Sequence, residues 1–191
     1  MKYFITITLA FLITACQTTD AWTGHWYSPN GLVKVDLNKD NSYSLHHIEG
    51  TERGTWLKQS NTILLSDSSI LQIDSTNLLL DGNKLSKEKP KTSVPLNANL
   101  TGLNFIWTFE SDGVQIDTVS FSDNSYYSSF NKRSHQYKLI PFNGLLYFTH
   151  DNLSNIGDRY FLLHTLNKKE LIFDFYDYGT KKHIKTVLRQ L

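Results

Sequence analysis

The chain has 191 residues, of which 40% are hydrophobic and 19% are charged, and its formal net charge at pH 7 is +1. This balance of charge argues against nucleic acid as a partner, because binding to phosphates needs an excess of basic side chains. With a single cysteine the chain cannot form a disulfide framework, a redox pair or a thiolate metal site, so its stability must come from packing.

The first sixteen residues have the pattern of a secretory leader. One basic residue, Lys2, precedes an apolar run from Tyr3 to Ala15 that is interrupted only by threonines. The run is shorter than the ~20 apolar residues that a helix needs to cross a bilayer, but it suits the core of a signal peptide. We therefore predict that residues 1–15 are a leader outside the fold and that residues 16–21 are an anchor and spacer.

The end of this leader, Ile13-Thr14-Ala15-Cys16, resembles a bacterial lipobox. In lipoproteins with this motif the cysteine thiol is diacylated and the leader is cut just before it, so the resemblance implies a lipid anchor on Cys16. Two or three acyl chains hold a domain at a membrane far better than one chain does. In such lipoproteins an aspartate directly after the cysteine is the usual signal for retention in the inner membrane. This chain has Gln17 at that position, which by analogy implies the outer membrane, facing the periplasm. The alternative is an ordinary secretory leader with an incidental cysteine.

Residues 22–88 alternate short apolar runs with turn signals, which predicts a first β-barrel-like half. Val33, Val35 and Leu37 alternate with polar residues after Pro29-Asn30-Gly31, and an Asn-Gly pair beside a period-2 run is a strong hairpin signal. No segment keeps an apolar stripe at helical spacing for three turns. We predict an antiparallel meander of about six or seven strands in this half.

Residues 89–101 interrupt this rhythm and are predicted to be a linker. The stretch contains Pro90 and Pro95 and few large apolar side chains. The first half is then ~65 residues long, which makes its burial of apolar surface marginal without a disulfide. We therefore expect two β-barrel-like halves that pack on each other, and the alternative is one large barrel.

Residues 102–191 repeat the same pattern and are predicted to be a second β-barrel-like half. The dipeptide Asn143-Gly144 predicts another hairpin in this half. The apolar alternation changes parity between Ile116 and Val119, and this change predicts a β-bulge. The second half therefore has the same fold class as the first.

A short phrase occurs in both halves and suggests an internal duplication. Asp40-Asn41-Ser42-Tyr43 recurs as Asp123-Asn124-Ser125-Tyr126, 83 residues later, and the order of hairpins around it is similar. The spacing from the preceding glycine differs by one residue between the two copies. A single large barrel with repetitive turns remains the alternative.

The first half also resembles the lipocalin-like lipoproteins and the N-terminal domain of the NlpE envelope-sensor lipoproteins. The resemblance lies in the stretches Thr23–Tyr27, Val35–Leu45, Gly54–Trp56 and Asn61–Leu65. It implies an all-β, lipocalin-like barrel. The NlpE pattern carries a Cys-x-x-Cys between its first strands, whereas this chain has Ser28-Pro29-Asn30-Gly31 there. The resemblance therefore does not imply copper or redox sensing through a pair of cysteines.

No catalytic constellation can be assembled from the sequence. It contains no Gly-x-Ser-x-Gly, no His-Glu-x-x-His and no phosphate-binding glycine loop. Adjacent His46 and His47 should point to opposite faces of a strand, so they cannot both ligate one ion. His150-Asp151 lies in a stretch typical of Asx turns. We therefore predict no enzymatic activity, no metal site and no cofactor.

Aromatic residues are distributed unevenly between the halves, with five in residues 22–88 and seventeen in residues 103–178. Where both faces of a strand are bulky, one face can fill a core while the other lines a cavity or a contact surface. The candidates for ligand or partner contact are Trp107, Tyr126, Tyr160, Phe175, Tyr176 and Tyr178. The alternative is a filled core with half-buried tyrosines outside.

Together these patterns predict a lipid-anchored outer-membrane protein that faces the periplasm. Its predicted role is a non-catalytic envelope binding module for a partner protein or a cell-wall component. The alternative is a carrier or chaperone for a lipid or other apolar ligand inside a lipocalin-like barrel. A deep cavity favours the carrier, and a filled core with an exposed aromatic patch of several hundred Å² favours the partner module.

Overall fold

The computed structural model describes residues 21–110, 113–150, 160–177 and 182–191, and for residues 150, 175–177, 182 and 183 it describes the backbone alone. The predicted leader and Cys16 therefore lie outside the described residues. All regular secondary structure in the described part of the chain is β-strand. None of the described residues forms a helix long and apolar enough to span a membrane.

The chain divides into two compact units, and each contains eight consecutive strands. The division falls between Lys89 and Pro90, and the short segment Asn30–Leu32 is grouped with the second unit. The prediction of an all-β fold with two barrel halves is confirmed. Each unit is a meander, in which every strand pairs antiparallel with the next.

The first unit is a nearly closed barrel. Its strands are β1 Gly24–Tyr27, β2 Val33–Leu37, β3 Ser42–His47, β4 Gly50–Gln59, β5 Thr62–Leu65, β6 Ile70–Asp74, β7 Asn77–Leu80 and β8 Asn83–Leu85. The backbone N–H of Tyr27 donates to Ser86 O (2.7 Å) and that of Ser86 donates to Tyr27 O (2.9 Å), which joins the first strand to the end of the last. Strand β8 exceeds the predicted count because its three residues include one apolar side chain, Leu85, and so give no alternation.

Alternation along these strands builds the core of the first unit. Trp26, Val35, Leu37 and Trp56 are among the side chains that are 3% exposed or less, and their polar neighbours in sequence face outward. The turn between β7 and β8 has positive φ at Asp81 (50°) and Gly82 (78°), as a two-residue hairpin requires.

The second unit is a closed barrel. Its strands are β9 Asn104–Glu110, β10 Val114–Phe121, β11 Ser125–Ser128, β12 Arg133–Phe142, β13 Leu145–His150, β14 Phe161–Leu166, β15 Glu170–Asp177 and β16 Lys182–Gln190. The predicted hairpin at Asn143-Gly144 joins β12 to β13 with positive φ at both residues (52° and 68°). Strand β16 pairs with β9 and thereby closes the barrel.

The stretch predicted as a linker contributes to the second unit. Val94 is 5% exposed and Leu100 is 0% exposed, and both belong to the core of this barrel. The Thr92 hydroxyl donates to Leu163 O (2.6 Å), and the Ser93 N–H donates to His164 O (2.9 Å), so the segment is bound to β14. Composition alone does not show this role, because the stretch holds few large apolar residues.

The parity change in β10 is not a bulge, so this prediction is wrong. Strands β9 and β10 pair in continuous register from Val114↔Glu110 to Ser120↔Asn104. Ile116 is 63% exposed on the outer face, whereas Asp117 and Val119 are 3% and 5% exposed. Asp117 therefore continues the inward alternation as a polar residue, and a register irregularity occurs instead between β14 and β15.

The repeated Asp-Asn-Ser-Tyr phrase occupies the same place in both barrels, at the turn from the second to the third strand. In the first barrel Trp56 Nε1 donates to Asn38 O at 3.1 Å. In the second barrel the Tyr137 hydroxyl donates to Ser122 O at 3.0 Å. Each donor lies on the fourth strand and each acceptor is the first residue of the turn, so the two barrels share this tertiary contact as well as the phrase.

Candidate functional site

An apolar cavity lies inside the second barrel. Its volume is about 90 Å³. The lining residues are Trp107, Val119, Phe121, Tyr126, Phe148, Phe161, Leu163, Leu171, Phe173 and Leu188. Apart from the tyrosine hydroxyl and the indole N–H, these side chains offer no polar group, so the cavity suits a hydrocarbon group rather than water.

Phe148 is the centre of the aromatic wall. Its ring centroid lies 5.4 Å from that of Tyr137, 6.1 Å from Phe121, 6.2 Å from Phe161 and 6.4 Å from Phe173. Pairs at such distances, in edge-to-face or offset arrangements, contribute about 0.5–1.5 kcal/mol each beyond their burial. The wall is therefore braced by ring contacts on several strands and is preorganised before a ligand arrives.

The two ends of the barrel differ. At one end the segment before β9 is bound to the last residue of β10, since Phe121 N donates to Leu103 O and Gly102 N donates to Phe121 O (both 2.9 Å). Buried Leu100 from the same segment covers this end of the core. This end is therefore covered by the protein's own chain.

The other end of the barrel, where β9 meets β10, carries partly exposed apolar rings. Phe109 packs on Trp107 (4.7 Å between centroids) and against Phe130 (5.2 Å, edge-to-face). Phe130 is 47% exposed and Ile184 is 43% exposed. We call Trp107, Phe109, Phe130 and Ile184 the hairpin-end cluster. The cluster forms an apolar rim at this end.

A buried carboxylate holds the turn that carries Phe130. Asp117 is 3% exposed and accepts hydrogen bonds from the Ser128 hydroxyl (2.6 Å), the Ser129 hydroxyl (3.0 Å) and the backbone N–H of Phe130 (3.0 Å). The Ser128 oxygen accepts in turn from the N–H of Asn131 at 3.1 Å. A buried carboxylate is tolerated when it is fully hydrogen-bonded, and here its bonds fix the β11–β12 turn.

The structure brings together only some of the predicted contact residues. Trp107 and Tyr126 line the cavity. Tyr160 is half-buried directly before β14 and is not among the lining residues. Phe175 and Tyr176 lie in β15, but their side chains are outside the description, and Tyr178, like Cys16, lies outside the described residues altogether.

Sequence reasoning missed three of the main wall residues, Phe148, Phe161 and Phe173. Each directly follows another large side chain, Tyr147, Tyr160 or Ile172, so alternation alone could not show which of the two faces inward. Sequence reasoning also missed Asp117. Its signal was the parity change in β10, since an aspartate between Ile116 and Val119 can restore an unbroken inward alternation.

A second polar cluster lies on the outer face of the first barrel, around Asp36. His25 Nδ1 lies 2.5 Å from Oδ1 of this carboxylate, and Lys34 Nζ and His46 Nε2 lie 2.7 and 3.0 Å from Oδ2. Burial by itself raises the pKa of Asp36, but hydrogen bonds from Lys34 and His25, with their charges, hold it below its usual value of 3.8.

The imidazoles of His46 and His47 contact different partners. His46 joins Asp36, while His47 Nε2 lies 3.6 Å from Glu52 Oε1. Within the described part of the chain no three His, Cys, Asp or Glu side chains are placed to hold a metal ion. The Asp36 cluster combines an ion pair to Lys34 with hydrogen bonds to His25 and His46 on the sheet surface.

Comparisons of the chain with known protein families, with curated proteins and with solved structures found no match. We therefore derive a function from the geometry of the second barrel.

Proposed function

We propose that this protein is a non-catalytic binding protein whose second barrel takes the apolar end of a ligand. In this proposal Cys16 anchors the protein to the periplasmic side of the outer membrane. One observation carries the binding function: an aromatic-walled cavity lies in a barrel that is covered at one end and rimmed by apolar rings at the other. Apolar walls with few polar groups are the usual form of sites for hydrophobic ligands.

The size of the cavity limits the ligand. At about 90 Å³ it is smaller than the ~150 Å³ engineered cavity that binds benzene, so it holds the tip of a chain and not a whole lipid. Each buried methylene contributes about 0.8 kcal/mol. A few methylenes alone give weak binding, and the rest of the ligand must contact the hairpin-end cluster. The ligand class is therefore a slender alkyl chain.

The alternative of a partner-protein module also has support. Val114, Ile116, Tyr127 and Val187 are 69%, 63%, 45% and 39% exposed on strands of the second barrel. Contiguous exposed apolar side chains mark interaction surfaces, and Val114 and Ile116 are neighbours on the outer face of β10. Most of these side chains are aliphatic, whereas the sequence led us to expect an aromatic patch.

The test uses n-octanol carrying a terminal CF₃ group, with binding followed by ¹⁹F NMR on the soluble protein that begins at Gln17. Val119→Phe puts a ring into the cavity, and Val114→Phe makes the same change on the outer face of the same strand. We expect the wild type and Val114→Phe to bind equally and Val119→Phe to bind at least tenfold more weakly.

Equal binding by the two variants would overturn the proposal. Absence of octanol binding by the wild type at millimolar concentration would overturn it as well. Native mass spectrometry of the same protein, exported to the periplasm, would then identify a carried ligand as a discrete extra mass that organic extraction removes.

A further inference from the structure

The seam that closes the second barrel is short. Strand β9 pairs with β10 over seven residue pairs, and β15 pairs with β16 over eight. Strands β9 and β16 pair over only three, from Leu188↔Trp107 to Gln190↔Phe105. The β10–β11 pairing also has three, but β9 and β16 are seven and nine residues long, so the seam covers less than half of each strand. Within the described residues, positions 108–110 and 184–187 have no cross-strand partner at the seam. The two strands therefore part towards the hairpin end of the barrel.

An open groove of about 770 Å³ lies where the strands part. Residues 106–110 of β9 form one side, and residues 184–187 and Arg189 of β16 form the other. Trp107 borders both this groove and the interior cavity. The groove is therefore a lateral opening on the wall of the barrel.

Backbone hydrogen bonds show which groups point into the groove. Phe121 N donates to Leu103 O, so odd-numbered residues of β9 face β10 and even-numbered residues face the seam. Leu191 N donates to Asn104 O and Gln190 N donates to Lys169 O, so odd-numbered residues of β16 face the seam. By this alternation four residues present their backbone N–H and C=O groups to the groove: Thr108, Glu110, Lys185 and Val187.

Such an edge favours a peptide over a hydrocarbon chain as the occupant. Unpaired backbone groups on a strand edge are a template for a further strand. A hydrocarbon laid along them would remove water from these groups and replace none of their hydrogen bonds, which is unfavourable. Only an occupant with its own regularly spaced N–H and C=O groups matches both sides of the groove.

The side chains around the groove select the sequence of that peptide. Trp107, Phe109 and Ile184 are apolar groups on the inner side, whereas Lys185 and Arg189 are exposed cations on the outer rim. Glu110 is the acid across the groove, and Asp174 and Glu170 on β15 are the cross-strand neighbours of Lys185 and Arg189. Asp174 Oδ2 itself lies 2.7 Å from His164 Nε2. Successive residues of an inserted strand point to opposite faces. We propose that this seam binds an extended segment of a partner protein in which apolar and acidic residues alternate.

The test uses the soluble protein from Gln17 and a synthetic seven-residue peptide of alternating valine and aspartate with blocked ends, titrated by calorimetry. A peptide of the same composition in shuffled order is the first control. The second control is a peptide methylated on the backbone nitrogens of alternate residues. It keeps the side chains but loses half of the N–H groups that could donate hydrogen bonds to β9 and β16. We expect the alternating peptide to bind, and each control to bind at least tenfold more weakly.

The protein variant Lys185→Gln with Arg189→Gln tests the rim. It should weaken binding of the alternating peptide at least fivefold and reduce its dependence on salt. Equal binding of the methylated and unmethylated peptides would overturn the proposal, and so would equal binding of the shuffled peptide. The methylated peptide needs no change in the protein, so a misfolded variant cannot obscure the result.

This inference does not rest on the apolar-ligand proposal. Val119→Phe fills the interior cavity and should leave peptide binding unchanged, while it weakens octanol binding at least tenfold. Because both ligands contact Trp107, Phe109 and Ile184, we expect octanol and the peptide to compete in the wild type. Loss of peptide binding in Val119→Phe would overturn the peptide proposal.

Discussion

Replacing Asp117 by alanine should destabilise the second barrel and release its β11–β12 turn. The carboxylate accepts hydrogen bonds from two serine hydroxyls and from the N–H of Phe130. Its side chain is almost fully buried, as is Ser128, at 3% and 2% exposure. The turn therefore depends on this one acceptor for three of its polar contacts.

The loss of unfolding free energy depends on which hydrogen-bond donors are left without an acceptor when Asp117 is removed. A buried hydroxyl that loses its acceptor costs about 1–3 kcal/mol, and Ser128 is in that position after the change to alanine. Phe130 is 47% exposed, so its N–H can reach water and adds less. We expect Asp117→Ala to lower the free energy of unfolding by about 2–3 kcal/mol. We expect Asp117→Asn, which keeps one acceptor oxygen, to cost about 1 kcal/mol.

The measurement is urea unfolding combined with hydrogen exchange of the whole chain, so that the two barrels are followed separately. Exchange should accelerate at the amides of Phe130 and Asn131 and remain unchanged in the first barrel. Asp123→Ala, at an exposed position of the same barrel, is the control and should change stability by less than about 0.5 kcal/mol. If Asp117→Ala lowers the free energy of unfolding by less than about 0.5 kcal/mol, the role assigned to the carboxylate is refuted.

Two further predictions concern the two cores and acid stability. Val119→Ile adds one methylene beside the cavity and should stabilise the second barrel by about 0.8 kcal/mol, whereas Val35→Ile, in the packed core of the first barrel, should cost about 1–3 kcal/mol. Thermal unfolding of both variants measures whether each substitution raises or lowers the stability. Because the folded pKa of Asp36 is lowered, its stabilisation is present above the unfolded pKa and is lost as the pH falls through the folded pKa. Asp36→Asn should therefore flatten the loss of first-barrel stability below about pH 4 in acid titrations followed by circular dichroism.

Two outcomes would contradict these predictions. A loss of stability in Val119→Ile would mean that the cavity wall cannot accept a methylene. An unchanged acid profile in Asp36→Asn would mean that other carboxylates dominate acid unfolding of the first barrel.

The fold class was predictable because the side-chain period and the turn residues are local properties of the chain. Val33, Val35 and Leu37 alternate as they do in β2, and Asn143-Gly144 adopts the two positive φ values that its residue types favour. The short strand β8 was missed because a three-residue strand has no period to detect. The lipid anchor on Cys16 stays a prediction.

The candidate site was predictable only in part. Trp107 and Tyr126 were identified because aromatic residues concentrate in the second half, and both line the cavity. Tyr160 was selected by the same signal but is not among the lining residues. Composition shows how many rings a segment holds, whereas the face that each ring occupies depends on strand register.

The sequence by itself determined the β-strand content and most of the turns, because these depend on neighbouring residues. Only the tertiary structure decided that Asp117 points inward, that Phe148 is the centre of the wall, and that β9 and β16 part after three residue pairs. The β9–β16 pairing joins strands far apart in the chain, and the inward face of β10 and of β13 depends on how each strand is paired within the barrel. A shift of one residue in register would move every side chain of a strand to the opposite face. The alternation in these strands does not fix that face, because Asp117 is a polar residue at an inward position and Phe148 follows another large ring, Tyr147.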